Sequence, residues 1–204
     1  MQQQLRRLTG LRRLDLAIAS NLDLNLLLHL LLEQAAILLP VDASALLLMN
    51  SETNLLTLAA SKGLRSSIHS SIFLKLGVGY AGQVALERKR IHIPNLAGSA
   101  KSDAMPPYLQ DENFTSYIGL PLITKGRTLG VLEVFHSSIL QPEAEWLEFL
   151  DILAGRGAIA IDNAILFENL QKSSAELGMA YDATIEGWLR TLDLRDRETE
   201  GHTR

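Results

Sequence analysis

Apolar residues recur at three- and four-residue steps between Leu5 and Leu39 (Leu5, Leu8, then Leu22, Leu26, Leu30), the spacing of a helix that buries one face. Ser20 followed by Asp23 has the form of a capping box, which predicts a new helix from about Leu22, ended by Pro40. The stretch before Ser20 carries its own leucine stripe. A lone helix has nothing to bury such a stripe against, so a homodimer through the terminal helices is the simplest arrangement, with residues 1–20 as its contact.

Period two then replaces period 3.6. Asp42 to Ser61 holds two apolar runs around the polar stretch Asn50–Asn54, a hairpin pattern, and Ala45–Met49 reads as a buried strand. "SIHSSIFLKL" fits strand or loop. "GVGYAGQVALERKR" is a glycine turn entering a short helix, followed by the short strand "IHIPN" closed at Pro94. Leu96 to Phe114 is a long loop rich in Gly, Ser, Asp and Pro. "YIGLPLITKGRTLGVLEVFH" is a strand pair joined through Lys125-Gly126-Arg127, where Gly126 can supply the positive φ of a tight turn. From Pro142 the chain is helical again, with Trp146, Leu150, Leu153, Gly157 and Ile161 on one stripe, and it continues with little punctuation through "SSAELGMAYDATIEGWLRTLDL". Sequential hairpins flanked by terminal helices make the fold α+β, a mainly antiparallel sheet with helices on one side.

Composition narrows the function. With 47% hydrophobic and 21% charged residues in 204, the chain is an ordinary globular one. Its net charge of −4 offers no long-range attraction to nucleic acid or to an anionic membrane, and neither is expected as a partner. The cluster Arg6, Arg7, Arg12 and Arg13 reads as a solvated helix face. Asp23, Asn25, His29, Glu33 and Gln34 interrupt Leu22–Leu39, so that stretch is no membrane span, and the N-terminus has no secretory pattern; a cytoplasmic setting is the expectation. The absence of cysteine removes disulfides, thiolate metal sites, catalytic thiols and thioether-linked chromophores.

"GVGYAG", Gly77 to Gly82, matches the G-x-G-x-x-G of dinucleotide-binding folds. Its context does not: no acid ends the next strand, and an antiparallel hairpin follows where βαβ units would be needed. A plain glycine turn is the better reading.

Together with "YIGLPLITKGRTLGVLEVFH" and "LAGRGAIAIDNAILFE", the stretch "LGVGYAGQVALERKRIHIPN" resembles the GAF domain, a small ligand-sensing α+β module, over roughly Leu22 to Asn169. The resemblance implies a central antiparallel sheet, N- and C-terminal helices packed on one face and a ligand pocket on the other. The pocket would be roofed by the helix Gly79–Leu86 and the loop Leu96–Phe114. The candidates for contact with an unknown small-molecule ligand are Tyr80, Asp103, Tyr108, Phe114, Tyr117 and Glu133. For the aromatics the competing reading is ordinary core; for Glu133 it is a solvent-facing position by alternation. Bilin-binding and methionine-sulfoxide-reducing members use cysteines, which this sequence lacks. The dispersed Asn-Lys-Phe-Asp-Glu signature of cyclic-nucleotide-binding members is broken: Asn95, Lys101 and Phe114 occur in order, but Asp111 and Glu112 precede the phenylalanine. A haem-binding variety would need an axial histidine from His69, His92 or His136, which read better as surface or hydrogen-bonded residues.

The stretch "AYDATIEGWLRTLDLRDRETEGHTR" resembles the opening of an HD-GYP domain, a metal-dependent phosphohydrolase that cleaves cyclic di-GMP. On a helix, Glu198 and His202, four residues apart, share a face about 6 Å apart along the axis and can reach a common or adjacent metal. The resemblance also implies a His-Asp pair and a Gly-Tyr-Pro segment that these residues do not contain. The expectation is a non-enzymatic unit without a cofactor of its own, and Fe or Mn in a full-length phosphodiesterase. The expected organisation is an N-terminal helix over 1–20, a GAF-like sensor over 21–170, and a linker helix with the first HD-GYP residues over 171–204.

Overall fold

The computed structural model describes residues 23–38, 41–65, 73–96, 109 and 112–201. Two compact units divide the chain, Met1–Ala164 and Ile165–Arg204.

In the first unit, helix α1 (Leu24–Leu38) precedes the strands β1 (Ala43–Met49), β2 (Leu55–Lys62) and β3 (Phe73–Lys75). Helix α2 (Gly79–Glu87) and the strands β4 (Ile91–Ile93), β5 (Ser116–Thr124) and β6 (Arg127–His136) follow. Helix α3 (Ala144–Gly201) begins in this unit and makes up the described part of the second.

The capping box is corrected in one respect: Asp23 itself caps α1, its Oδ1 accepting the amides of Asn25 at 2.7 Å and Leu26 at 3.4 Å, so the helix starts at Leu24. Ser20 lies outside the described residues. The hairpin between β1 and β2 follows from Asn50, whose Oδ1 accepts the amides of Glu52 and Thr53, each at 2.9 Å, while Asn54 adopts a left-handed φ of 54° that asparagine tolerates well. Between β5 and β6 the turn uses positive φ at Lys125 (48°) as well as at Gly126 (74°), the two-residue pattern that matches strand twist.

The six strands form one antiparallel sheet in the order β3-β2-β1-β6-β5-β4. Its central strands are buried on both faces. Ile118, Leu120, Leu132 and Val134 are at most 2% exposed on one face, and Tyr117, Val131 and Phe135 are fully buried on the other. Helix α1 lies over β1 and β2. It meets α3 where Gly157 leaves so little room that a β-carbon would stand 3.0 Å from Leu31. Trp146, Leu150, Leu153 and Ile161 are buried along α3, as the stripe predicted. On the opposite face, α2 inserts Tyr80, Ala81, Val84 and Ala85 into a cluster with Leu47, Leu58, Tyr117 and Phe135.

The glycine motif before α2 serves backbone geometry. Gly77 and Gly79 carry φ of 78° and 68°, and a β-carbon on Gly82 would stand 2.4 Å from the Lys75 carbonyl oxygen. No helix among the described residues is long and apolar enough to cross a membrane.

In the second unit, α3 continues as a helix whose side chains are exposed on every side from Phe167 to Trp188, apart from the half-buried flank at Phe167. Leu170, Leu177, Tyr181 and Trp188 are each more than 60% exposed there.

Candidate functional site

The face of the sheet beneath α2 carries a carboxylate where a strand core is normally apolar. Register places Glu133 of β6 opposite Ala45 of β1 and Gly119 of β5, so the acid has short neighbours on both sides. It is 0% exposed. The solvent-facing reading of Glu133 is thereby overturned: it shares its face with Val131 and Phe135, both fully buried.

Tyr117, two residues before Gly119 on the same face, lies along β5 over that glycine and donates from its hydroxyl to Glu133 Oε1 at 2.9 Å. Gly119 is what allows this, since a β-carbon there would fall 2.3 Å from the Tyr117 hydroxyl oxygen. A hydrogen bond to a buried carboxylate offsets part of the cost of taking the charge out of water.

Aromatic rings enclose the pair. Tyr80, in the first turn of α2, has its ring centroid 5.1 Å from that of Tyr117 at an angle of 34°. Phe135 is 5.7 Å from Tyr117, and Phe114, just before β5, stacks on Phe135 at 5.2 Å and 21°. Such offset and tilted contacts between rings 4.5–7 Å apart are attractive by about 0.5–1.5 kcal/mol each beyond the area they bury.

Of the residues singled out from sequence, Tyr80, Phe114, Tyr117 and Glu133 are therefore brought into one cluster. Asp103 and Tyr108 lie outside the described residues, as does His202. Glu198 falls on α3, where only the backbone is described. Phe135 was missed; its place two residues after Glu133 in a strand was the signal that could have found it. Two of the three histidines weighed as axial ligands have structural bonds: His92 Nε2 lies 3.1 Å from the Leu140 carbonyl, and His136 Nδ1 lies 3.1 Å from the Ser138 amide, which donates to it. His69 is outside the described residues. Among the described residues, no three acidic, histidine or cysteine side chains gather as a metal site.

What this arrangement offers chemically is recognition: a desolvated carboxylate, bonded to the Tyr117 hydroxyl and surrounded by π faces. A positively charged or donor-bearing group would find both a charge partner and aromatic faces there.

The family model described as the GAF domain matches residues 23–161. No curated protein matches the sequence. Among solved structures, the GAF domain of a phosphoenolpyruvate-protein phosphotransferase from Coxiella burnetii is similar with a TM-score of 0.70 and 24% identity, over 81% of this chain and 98% of that one. The corresponding domain from Acinetobacter gives a TM-score of 0.69 at 24% identity, over 78% and 94%. A free methionine-R-sulfoxide reductase from Neisseria meningitidis, in complex with its substrate, gives 0.66 at 17% identity, over 81% and 93%. At these identities the likeness carries the fold.

Proposed function

Because the chain belongs to the GAF domain family, regulatory sensing modules of signalling proteins, we propose that the sheet face under α2 senses a small molecule that presents a hydrogen-bond donor or a cationic group to Glu133. The carrying observation is the complete burial of a carboxylate among Tyr80, Tyr117 and Phe135. An apolar residue of similar size would fill the same space without desolvating a charge, so packing alone does not account for an acid bonded to the Tyr117 hydroxyl at this position, whereas ligand recognition would. The likeness to the sulfoxide reductase does not extend to cysteine chemistry, since these 204 residues contain no cysteine.

A second reading is favoured by a specific observation. Tyr80, Tyr117, Phe135 and Leu109 are all at most 2% exposed, as they would be if the face were filled by its own side chains. In that case the unit is a ligand-free scaffold for a homodimer, joined through its terminal helices. Native mass spectrometry of the chain separates the two. A retained small molecule that is lost in Glu133→Gln supports sensing; a bare dimer supports the scaffold and overturns sensing.

The full protein, on this proposal, is a cyclic di-GMP phosphodiesterase that this unit regulates. Support comes from "LRDRETEGHTR" and the four-residue spacing of Glu198 and His202 as ligands of Fe or Mn. These residues supply only two ligands and do not hydrolyse anything alone. Joined to its downstream sequence and assayed with Mn²⁺, the protein is expected to cleave cyclic di-GMP, and Glu198→Ala and His202→Ala are each expected to lower the rate about 100-fold or more. Unchanged rates in both variants would remove the metal-ligand assignment.

A further inference from the structure

Helix α2 and helix α3 lie on opposite faces of the sheet, yet three residues after α2 ends the chain makes direct contact with α3. The helix stops at Glu87 because Arg88 takes a left-handed conformation (φ 56°, ψ 34°), its amide donating to the Val84 carbonyl at 2.9 Å. Lys89 and Arg90 then lead into β4, which is an edge strand of the sheet. An edge is the place where a side chain can pass from one face to the other without crossing a hydrogen-bonded strand. Arg90 Nη1 does so: it donates to Asp151 Oδ2 of α3 at 2.5 Å and approaches the Leu147 carbonyl at 3.5 Å. His92, two residues on, lies against the Leu140 carbonyl in the segment that enters α3.

A second fixed point lies further along α3. Asp162, whose side chain is 4% exposed, pairs with two cations of the β5–β6 turn that are themselves mostly exposed, Lys125 Nζ at 2.9 Å and Arg127 Nη2 at 3.0 Å, so it is the burial of the acid on α3 that holds this point. Asp151 and Asp162 are eleven residues apart. Eleven residues make about three turns, so both carboxylates lie on nearly one side of α3, about 16 Å apart along its axis. The Asp162 contact comes from the turn of the β5–β6 hairpin, which belongs to the sheet itself. By contrast, the Asp151 contact is attached to α2, whose Tyr80, Ala81, Val84 and Ala85 pack on the aromatic cluster around Glu133.

We propose that Arg90 is the element that couples α2 to α3: displacement of α2 on the aromatic cluster moves Arg90 and loosens the α3 turn that bears Leu147 and Asp151, while Asp162 stays fixed. The Arg90 and Asp151 side chains are 32% and 54% exposed, which makes the pair weak in static stability and easily exchanged. That is the character of a contact between two arrangements of near-equal energy, which a small bias can shift. The coupling does not depend on what, if anything, the sheet face binds.

The test uses hydrogen exchange of the full chain, with Val84→Ala as the perturbation of α2. Val84 is fully buried and touches no part of α3 in the contacts above, so its truncation loosens α2 locally. In the otherwise wild-type chain, Val84→Ala is expected to speed exchange over 147–155 by about three-fold, with little change over 158–164. In an Arg90→Ala background the exchange over 147–155 is already raised, and Val84→Ala adds nothing further. The charge-reversed pair Arg90→Asp with Asp151→Arg is expected to restore the response, which a purely structural role for Arg90 would not predict. The proposal is overturned if Val84→Ala acts on 147–155 equally with and without Arg90, or if it leaves that segment unchanged in the wild-type background. Either outcome leaves the ligand reading of Glu133 untouched.

Discussion

Gly119 is the residue on which the polar pair at the centre of the sheet depends. A β-carbon there would stand 2.3 Å from the Tyr117 hydroxyl oxygen and 2.7 Å from Val84 Cγ2, so the ring would have to leave its place over β5 or α2 would have to lift. Gly119→Ala is expected to lower stability by about 1–3 kcal/mol, the usual cost of overpacking a filled core, read from urea denaturation followed by circular dichroism. An unchanged midpoint would show that the ring and a methyl group share the space without strain. From sequence, Tyr117 and Glu133 were legible as separate candidates, and the glycine between Ile118 and Leu120 was unremarked. That the three form one unit depends on contact across strands, which residue identity does not specify.

The register between β5 and β6 decides that contact. At the turn, Thr124 pairs with Arg127 and Ile123 with Thr128, but Leu122 then pairs with Gly130, leaving Leu129 as an extra residue on β6. Without this bulge the turn would set Glu133 opposite Ile118, on the face that carries Leu120 and Leu132. The bulge brings it opposite Gly119, beside Tyr117. Hairpin and turn were both readable from "LITKGRTLG", since positive-φ positions at Lys125 and Gly126 have a local cause. The bulge was not, because nothing in the alternation of apolar residues marks Leu129 as surplus. Helix α3 shows the same division. Its stripe and its continuity follow from spacing, whereas its attachment through Asp151 and Asp162 depends on cations that arrive from 61 and 35 residues away in sequence.

At the scale of the whole first unit, the start of β1 is tied to the end of β6 across 95 residues of sequence by Asp42, whose Oδ2 accepts the Ser137 amide and hydroxyl, both at 2.6 Å. The Ser137 hydroxyl first and its amide second hold the Asp42 carboxyl below its ordinary value of 3.8, with a smaller contribution from His136. A carboxyl depressed in the folded state stabilises the fold above its unfolded value, and that contribution is lost as pH falls through the folded value. Asp42→Asn is therefore expected to be less stable than wild type at pH 6, with the difference shrinking as the pH is taken below 3.8, as thermal unfolding at pH 6 and at an acid pH would show. A difference that is the same at both would mean that the carboxylate's charge contributes nothing. The sequence by itself determined the order and type of the described elements other than β3, which it left as strand or loop, together with the hairpins and the aromatic and acidic residues of interest, because helix period, strand alternation, caps and turn residues act within a few positions of one another. Only the tertiary structure decided which face Glu133 occupies, what Tyr117 bonds to and how α2 reaches α3, because register, bulges and edge crossings arise from energies shared between segments far apart in the chain.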